Sequence, residues 1–120
     1  MEYLNYVIYA LVLFFIAKRF LPAKGIKNIS TTNLKTELKD KSKQFVDVRT
    51  PAEFKGSNIR GFKNIPLHTL GQKATKELSM DKEVIVICQS GMRSQKASKT
   101  LKKLGFTNVT NVKGGMNAWR

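Results

Sequence analysis

The run Glu83-Val84-Ile85-Val86-Ile87-Cys88 constrains this chain more than any other stretch. Its unbroken β-branched centre suits a strand covered on both faces, as in a parallel sheet flanked by helices. The next segment, 93–104, puts Ala97, Leu101 and Leu104 on one stripe and Lys96, Lys99, Lys102 and Lys103 on the other face, and Gly105 is a natural stop. A buried strand leading directly into an amphipathic helix is half of a β-α-β crossover. It implies an α/β layer fold with right-handed connections.

The rest of the chain fits this pattern. Residues 26–29 read as a short strand. The cap-type residues Ser30 to Asn33 precede Leu34 and Leu38 at helical spacing. Gln44–Val48 reads as a strand, and Pro51 opens a short helix over 51–54. Residues 56–61 are loop, and Asn64 and Ile65 form a brief strand stopped by Pro66. Residues 68–79 carry a weak helical pattern interrupted by Gly71. A last strand spans 108–112, Gly114 and Gly115 turn the chain, and 116–119 begin a final helical turn.

The N-terminal stretch is different. Residues 3–17 are apolar except for Asn5 and the hydroxyls of Tyr3, Tyr6 and Tyr9, and Lys18 and Arg19 follow. Charges after the apolar run, and no small-residue cleavage site, argue for an uncleaved anchor over a secretory signal. We expect a single-pass transmembrane helix over 1–21, a linker over 22–25 and a catalytic domain over 26–120. The basic flank places that domain in the cytoplasm, at the cell membrane.

The 22 basic and 8 acidic residues leave a formal charge of +14. A solvated basic surface and attraction to anionic lipid both account for it. No aromatic-interleaved basic motif or zinc-finger spacing appears, so no nucleic-acid partner is expected. The single cysteine excludes an intramolecular disulfide framework, argues against a cysteine-rich zinc site and suits a reducing compartment. No metal or cofactor is expected.

The chemistry is concentrated in Cys88-Gln89-Ser90-Gly91-Met92-Arg93-Ser94, between the buried strand and the amphipathic helix. Ligands in such sheets bind beyond the carboxyl ends of strands. A loop there can turn its N–H groups inward as an anion cradle, and the helix N-terminus adds positive potential. Gly91 permits the turn, and Arg93 brings a fixed charge. Together these features stabilise a thiolate on Cys88.

Four blocks resemble the rhodanese family over about residues 26–120. Phe45 to Arg49 with Pro51, Glu53 and Phe54 is similar to the family's D-V-R-x-x-x-E-[FY] segment. Asn58 to Pro66 is similar to H-I-x-G-A-x-N-I-P, Cys88 to Ser94 to the loop C-x-x-G-x-R-S, and Gly114 to Trp119 to G-G-x-x-x-W. The resemblance implies a three-layer fold with a central parallel five-stranded sheet flanked by helices. It implies a persulfide on Cys88, cradled by the amides of Gln89, Ser90, Gly91, Met92 and Arg93 with Ser94 in support. Sulfur would pass from thiosulfate or another donor to cyanide or a thiol. A cysteine desulfurase or other sulfur-relay protein is a candidate partner. Asp47 and Arg49 read first as a structural pair and second as charges supporting the loop.

Two departures stand out: Asn58 replaces the family's usual histidine and Phe62 its alanine. His68, the sole histidine, reads as a surface residue. Two other functions compete. Phosphatases of this fold carry a longer loop between cysteine and arginine, so phosphatase or arsenate reductase activity is disfavoured. A non-catalytic binding module at the membrane would have no need of the intact loop.

Overall fold

The computed structural model describes residues 2–20 and 25–120, with side chains over 2–17 and 25–120. In the domain, β1 (Ile26–Ile29), β2 (Gln44–Asp47), β3 (Lys63–Asn64), β4 (Val84–Ile87) and β5 (Val109–Val112) form one parallel sheet in the order β1-β5-β4-β2-β3. The expected architecture is observed: a three-layer α/β domain with a parallel five-stranded sheet and helices on both faces. β4 lies at the centre, paired Asp47 to Ile87 on one side and Val84 to Val109 on the other.

This central position explains its composition. Alternate β4 residues serve opposite faces, so both sets must be apolar. Val84, Val86 and Cys88 join Val46, Leu70, Ala74, Ala97 and Leu101 under α4 (Leu67–Glu77) and α5 (Met92–Leu104). Ile85 and Ile87 join Leu34, Ile59, Phe62 and Val112 on the other face. That face is covered by α2 (Thr31–Glu37), by Phe54 of α3 (Pro51–Gly56) and by Met116 of α6 (Gly115–Ala118). Ser30 caps α2 by accepting the N–H of Asn33. The expected helix over 68–79, with its weak periodicity, is observed as α4 and ends at Glu77; Leu70 and Ala74 are fully buried and hold it, while Gly71 lies on the open side.

At the N-terminus α1 (Glu2–Phe20) is helical, and Tyr3, Leu13, Phe14 and Phe15 are exposed. Among the described residues no helix is long and apolar enough to cross a membrane. The transmembrane helix expected over 1–21 therefore finds no support. The physical reason is length: Glu2 and Asn5 confine the fully apolar stretch to Tyr6–Ala17, roughly 18 Å of helix against a core of about 30 Å. Except for Gly25, the expected linker over 22–25 lies outside the described residues, as does residue 21.

Candidate active site

Cys88 is fully buried at the carboxyl end of β4, one residue past the strand. The chain then reverses at Gly91, whose φ of 106° lies in the left-handed region where a side chain is strained. The turn brings the Gly91 N–H to 3.0 Å from Sγ. Among the described residues this is the only backbone N–H donating to the sulfur. The thiol donates to Ser94 Oγ at 3.4 Å. That hydroxyl lies 2.5 Å from Asn111 Oδ1, and Asn111 Nδ2 donates to Asn28 Oδ1 at 3.0 Å. A chain of polar side chains thus runs from the sulfur across β5 to β1.

The loop is held from behind by α6. The N–H of Met116 donates to the Cys88 carbonyl at 2.8 Å, and that of Asn117 to the Gln89 carbonyl at 2.9 Å. A Cβ on Gly115 would overlap the Cys88 carbonyl oxygen and come within 2.8 Å of the Gln89 carbonyl oxygen. The close approach therefore requires glycine at 115, and Gly114 before it takes a left-handed φ of 76°. In a trans peptide the C=O and N–H point oppositely. Drawing the Cys88 and Gln89 carbonyls toward α6 thus turns the N–H groups of Gln89 and Ser90 away from it.

The loop side chains do not converge on the sulfur. Gln89 Nε2 donates to Asn117 Oδ1 at 2.6 Å and Gln89 Oε1 accepts from Arg49 at 3.3 Å, so Gln89 acts as a strut. Ser90 and Met92 are exposed. Arg93 gives its fork to Glu53, at 2.7 and 2.9 Å. This pairing lowers the Glu53 carboxyl to about 2 and raises Arg93, with the charges of Cys88 and Asp47 adding weakly to the Arg93 shift.

Asp47 and Arg49 form the expected structural pair. Both are buried, and Arg49 Nε lies 3.1 Å from each carboxylate oxygen. Arg49 also donates to the Ser57 carbonyl, tying β2 to the end of α3. Asn64 Nδ2 donates to the carbonyls of Asp47 and Arg49. The two departures from the family pattern are absorbed locally. Asn58 Nδ2 donates to the Phe54 carbonyl at 2.8 Å, and buried Phe62 packs its ring 5.4 Å from that of Phe45. His68 is exposed, as expected, on the first turn of α4. It borders a cleft of about 360 Å³ whose walls include Val48, Thr50, Leu67, Arg93 and Lys96.

Glu53, Asn111 and Gly115 support the site, and the sequence reading did not place them there. Glu53 carried a signal, because Thr50-x-x-Glu53 is the spacing of a capping box, which α3 forms. Asn111 carried none, since its contact crosses strands.

A central parallel strand ending in a buried thiol, followed by a glycine-turned loop and a helix N-terminus, defines a cysteine-loop α/β domain suited to nucleophilic sulfur chemistry. The chain belongs to the rhodanese-like domain family, whose model matches residues 30–120. It is 46% identical over 76 residues to uncharacterized protein YqhL of Bacillus subtilis, covering 63% of this chain and 60% of that protein. The chain thus spans about three fifths of the length of that relative. It is 33% identical over 99 residues to thiosulfate sulfurtransferase GlpE of Shewanella oneidensis, covering 79% and 93%. The crystal structure of a rhodanese-like domain protein from Staphylococcus aureus superposes with a TM-score of 0.71 at 35% identity, covering 78% and 91%. These relationships support a sulfur-transfer role.

Proposed function

We propose that this chain is a sulfurtransferase that carries sulfane sulfur as a persulfide on Cys88. The observation that carries the reading is the sulfur itself: a lone thiol at the end of the central strand, with the Gly91 N–H at 3.0 Å and a helix beginning beside it. The Cys88 thiolate attacks the outer sulfur of thiosulfate, the S–S bond breaks and sulfite leaves with the electron pair. The outer sulfur, about 2 Å beyond Sγ, carries the negative charge. Cyanide then takes this sulfur as thiocyanate, or a thiol takes it as a persulfide, and the Cys88 thiolate is restored. The chain has no second cysteine to resolve the persulfide, so an external acceptor must. Gln89 to Arg93 supply the amides nearest the outer sulfur, Ser94 steadies Sγ, and Asp47 and Arg49 hold the loop's base. A cysteine desulfurase or another relay protein is a fitting macromolecular donor.

Intact-mass measurement after incubation with thiosulfate tests this. We expect a gain of one sulfur in wild type, lost on cyanide addition, and no gain in Cys88→Ser. Turnover by Cys88→Ser at the wild-type rate would overturn the reading, as would robust aryl phosphate hydrolysis by wild type.

The domain's location at the cell membrane, on the cytoplasmic side, is part of the same proposal. The exposed apolar side chains of α1 and the basic residues Lys18 and Arg19 that follow in sequence support it.

A further inference from the structure

The buried Ser94 hydroxyl meets Sγ at 3.4 Å, the Asn111 side chain at 2.5 Å and the Gly91 carbonyl at 3.1 Å. The two Asn111 distances orient its amide. The shorter, 2.5 Å, is the length of an O–H···O bond, and the 3.0 Å contact with Asn28 is that of an N–H···O bond. Oδ1 therefore faces Ser94 and Nδ2 faces Asn28. Ser94 has one hydroxyl proton, and both oxygens beside it can only accept. What it turns toward Sγ is a lone pair. A thiol uses that lone pair by donating its proton. A thiolate cannot, and among the described residues its hydrogen bond comes from the Gly91 N–H alone. The charges around the loop are already paired, Arg93 with Glu53 and Arg49 with Asp47, and β5 and α6 carry none.

We infer that Asn111 is a positioning residue: by holding the Ser94 proton it fits Sγ to its uncharged states, the resting thiol and the inner sulfur of the persulfide. The inference rests on the sulfurtransferase reading above and adds a restraint that makes the persulfide a store. In the persulfide Sγ has neither proton nor charge, so Ser94 keeps its proton on Asn111. On discharge the acceptor takes the outer sulfur, its bond to Sγ breaks and the electron pair stays on Sγ. To stabilise that thiolate Ser94 must turn its proton to the sulfur. Asn111 Oδ1 then loses its donor in a site where the residue is 3% exposed, which is unfavourable for a buried acceptor. The thiolate finally takes a proton from solvent. Loading meets the same restraint, because the thiol must first lose its proton to solvent before Sγ attacks thiosulfate.

The full chain is loaded with thiosulfate, desalted and mixed with cyanide, and discharge is followed by intact mass. The resting protein is separately alkylated with iodoacetamide, which reports on the thiol without sulfur turnover. A hydrogen bond to an ion shifts an equilibrium by about tenfold, and sulfur-exchange rates follow about the square root of such a shift. We therefore expect Asn111→Leu to discharge and to alkylate about threefold faster than wild type. Its former partner Asn28 is exposed and turns to water. Asn111→Val is expected to behave alike and carries the test where Asn111→Leu does not fold. Asn111→Asp keeps an acceptor for Ser94 and adds a negative charge, so it is expected to be no faster than wild type. Thr110→Val controls for substitution in β5: its hydroxyl has no hydrogen-bond partner and its side chain serves the other sheet face, so both rates are expected near wild type. A merely structural role for Asn111 would slow the apolar variants. Rates at or below wild type in those variants, or an equal gain in Asn111→Asp or Thr110→Val, would overturn the proposal. Failure of wild type to load sulfur would instead remove the sulfurtransferase reading, and the alkylation rates would still report on the Ser94 proton.

Discussion

Gly115 has no room for a side chain. The two carbonyls that it faces are also those that accept the N–H groups of Met116 and Asn117. In Gly115→Ala the methyl must displace either α6 or the loop. Forced strain of this kind places the substitution among the severe ones, about 3 kcal/mol or more. Denaturant unfolding is expected to show that loss of stability, and sulfur loading of Cys88 is expected to fall with it, because the loop loses its backing. A stability change below about 1 kcal/mol would mean that the loop is not held from α6. Arg93 shows the reverse relation between chemistry and structure. Its motif position suggests a substrate ligand, yet its fork is already engaged by Glu53, so its charge reaches the sulfur only at longer range.

At the scale of elements, the Arg93–Glu53 pair ties the first turn of α3 to that of α5. The Glu53 carboxyl is depressed to about 2 from 4.5. A depressed acid stabilises the folded state above its unfolded pKa, and that contribution is lost as pH falls through the folded one. The window is therefore pH 4.5 down to about 2. Both side chains are about a third exposed, so solvent screening reduces the contribution to about 1 kcal/mol. Urea midpoints of Glu53→Gln are expected to lie below wild type at pH 7 and to converge with it as pH falls through that window. A constant offset across the window would assign the pair no role. Gly71 makes the opposite case. It sits within α4 with nothing within 4 Å of its Cβ position, so Gly71→Ala is expected to stabilise the domain by about 0.5–1 kcal/mol, read as a rise in Tm.

For the whole molecule, the testable property is where the domain resides. The exposed apolar side chains of α1 and the +14 charge predict different behaviour on extraction. If α1 is embedded in the bilayer, the full chain stays with the membrane fraction through alkaline carbonate. Removal of residues 2–17 releases the domain into the soluble fraction with its cyanide-dependent turnover intact. Release by high salt alone would show that the attachment is made by surface charge, since screening weakens only that term. We expect retention in high salt, because the exposed apolar side chains of α1 are not screened.

Local patterns carried most of the architecture. β4 and α5 were legible because a strand buried on both faces and an amphipathic helix each mark their own residues with a period, and the loop between them was legible because Cys88, Gly91 and Arg93 are adjacent in the chain. The amphipathic face of α4 was faint in sequence because only Leu70 and Ala74 are wholly buried there, too few to establish a period. Long-range contacts were decided by the tertiary structure. Asn111 reaches Ser94 from the neighbouring strand, Glu53 takes up the fork of Arg93 from another helix, and Gly115 packs under the Cys88 carbonyl. The sequence by itself determined the parallel α/β class and singled out Cys88 as the candidate nucleophile, because periodicity and a contiguous loop are properties of neighbours in the chain. Which groups back the loop, which occupy Arg93 and which line the cleft was decided only by folding, because those partners are brought together by strand order and helix packing.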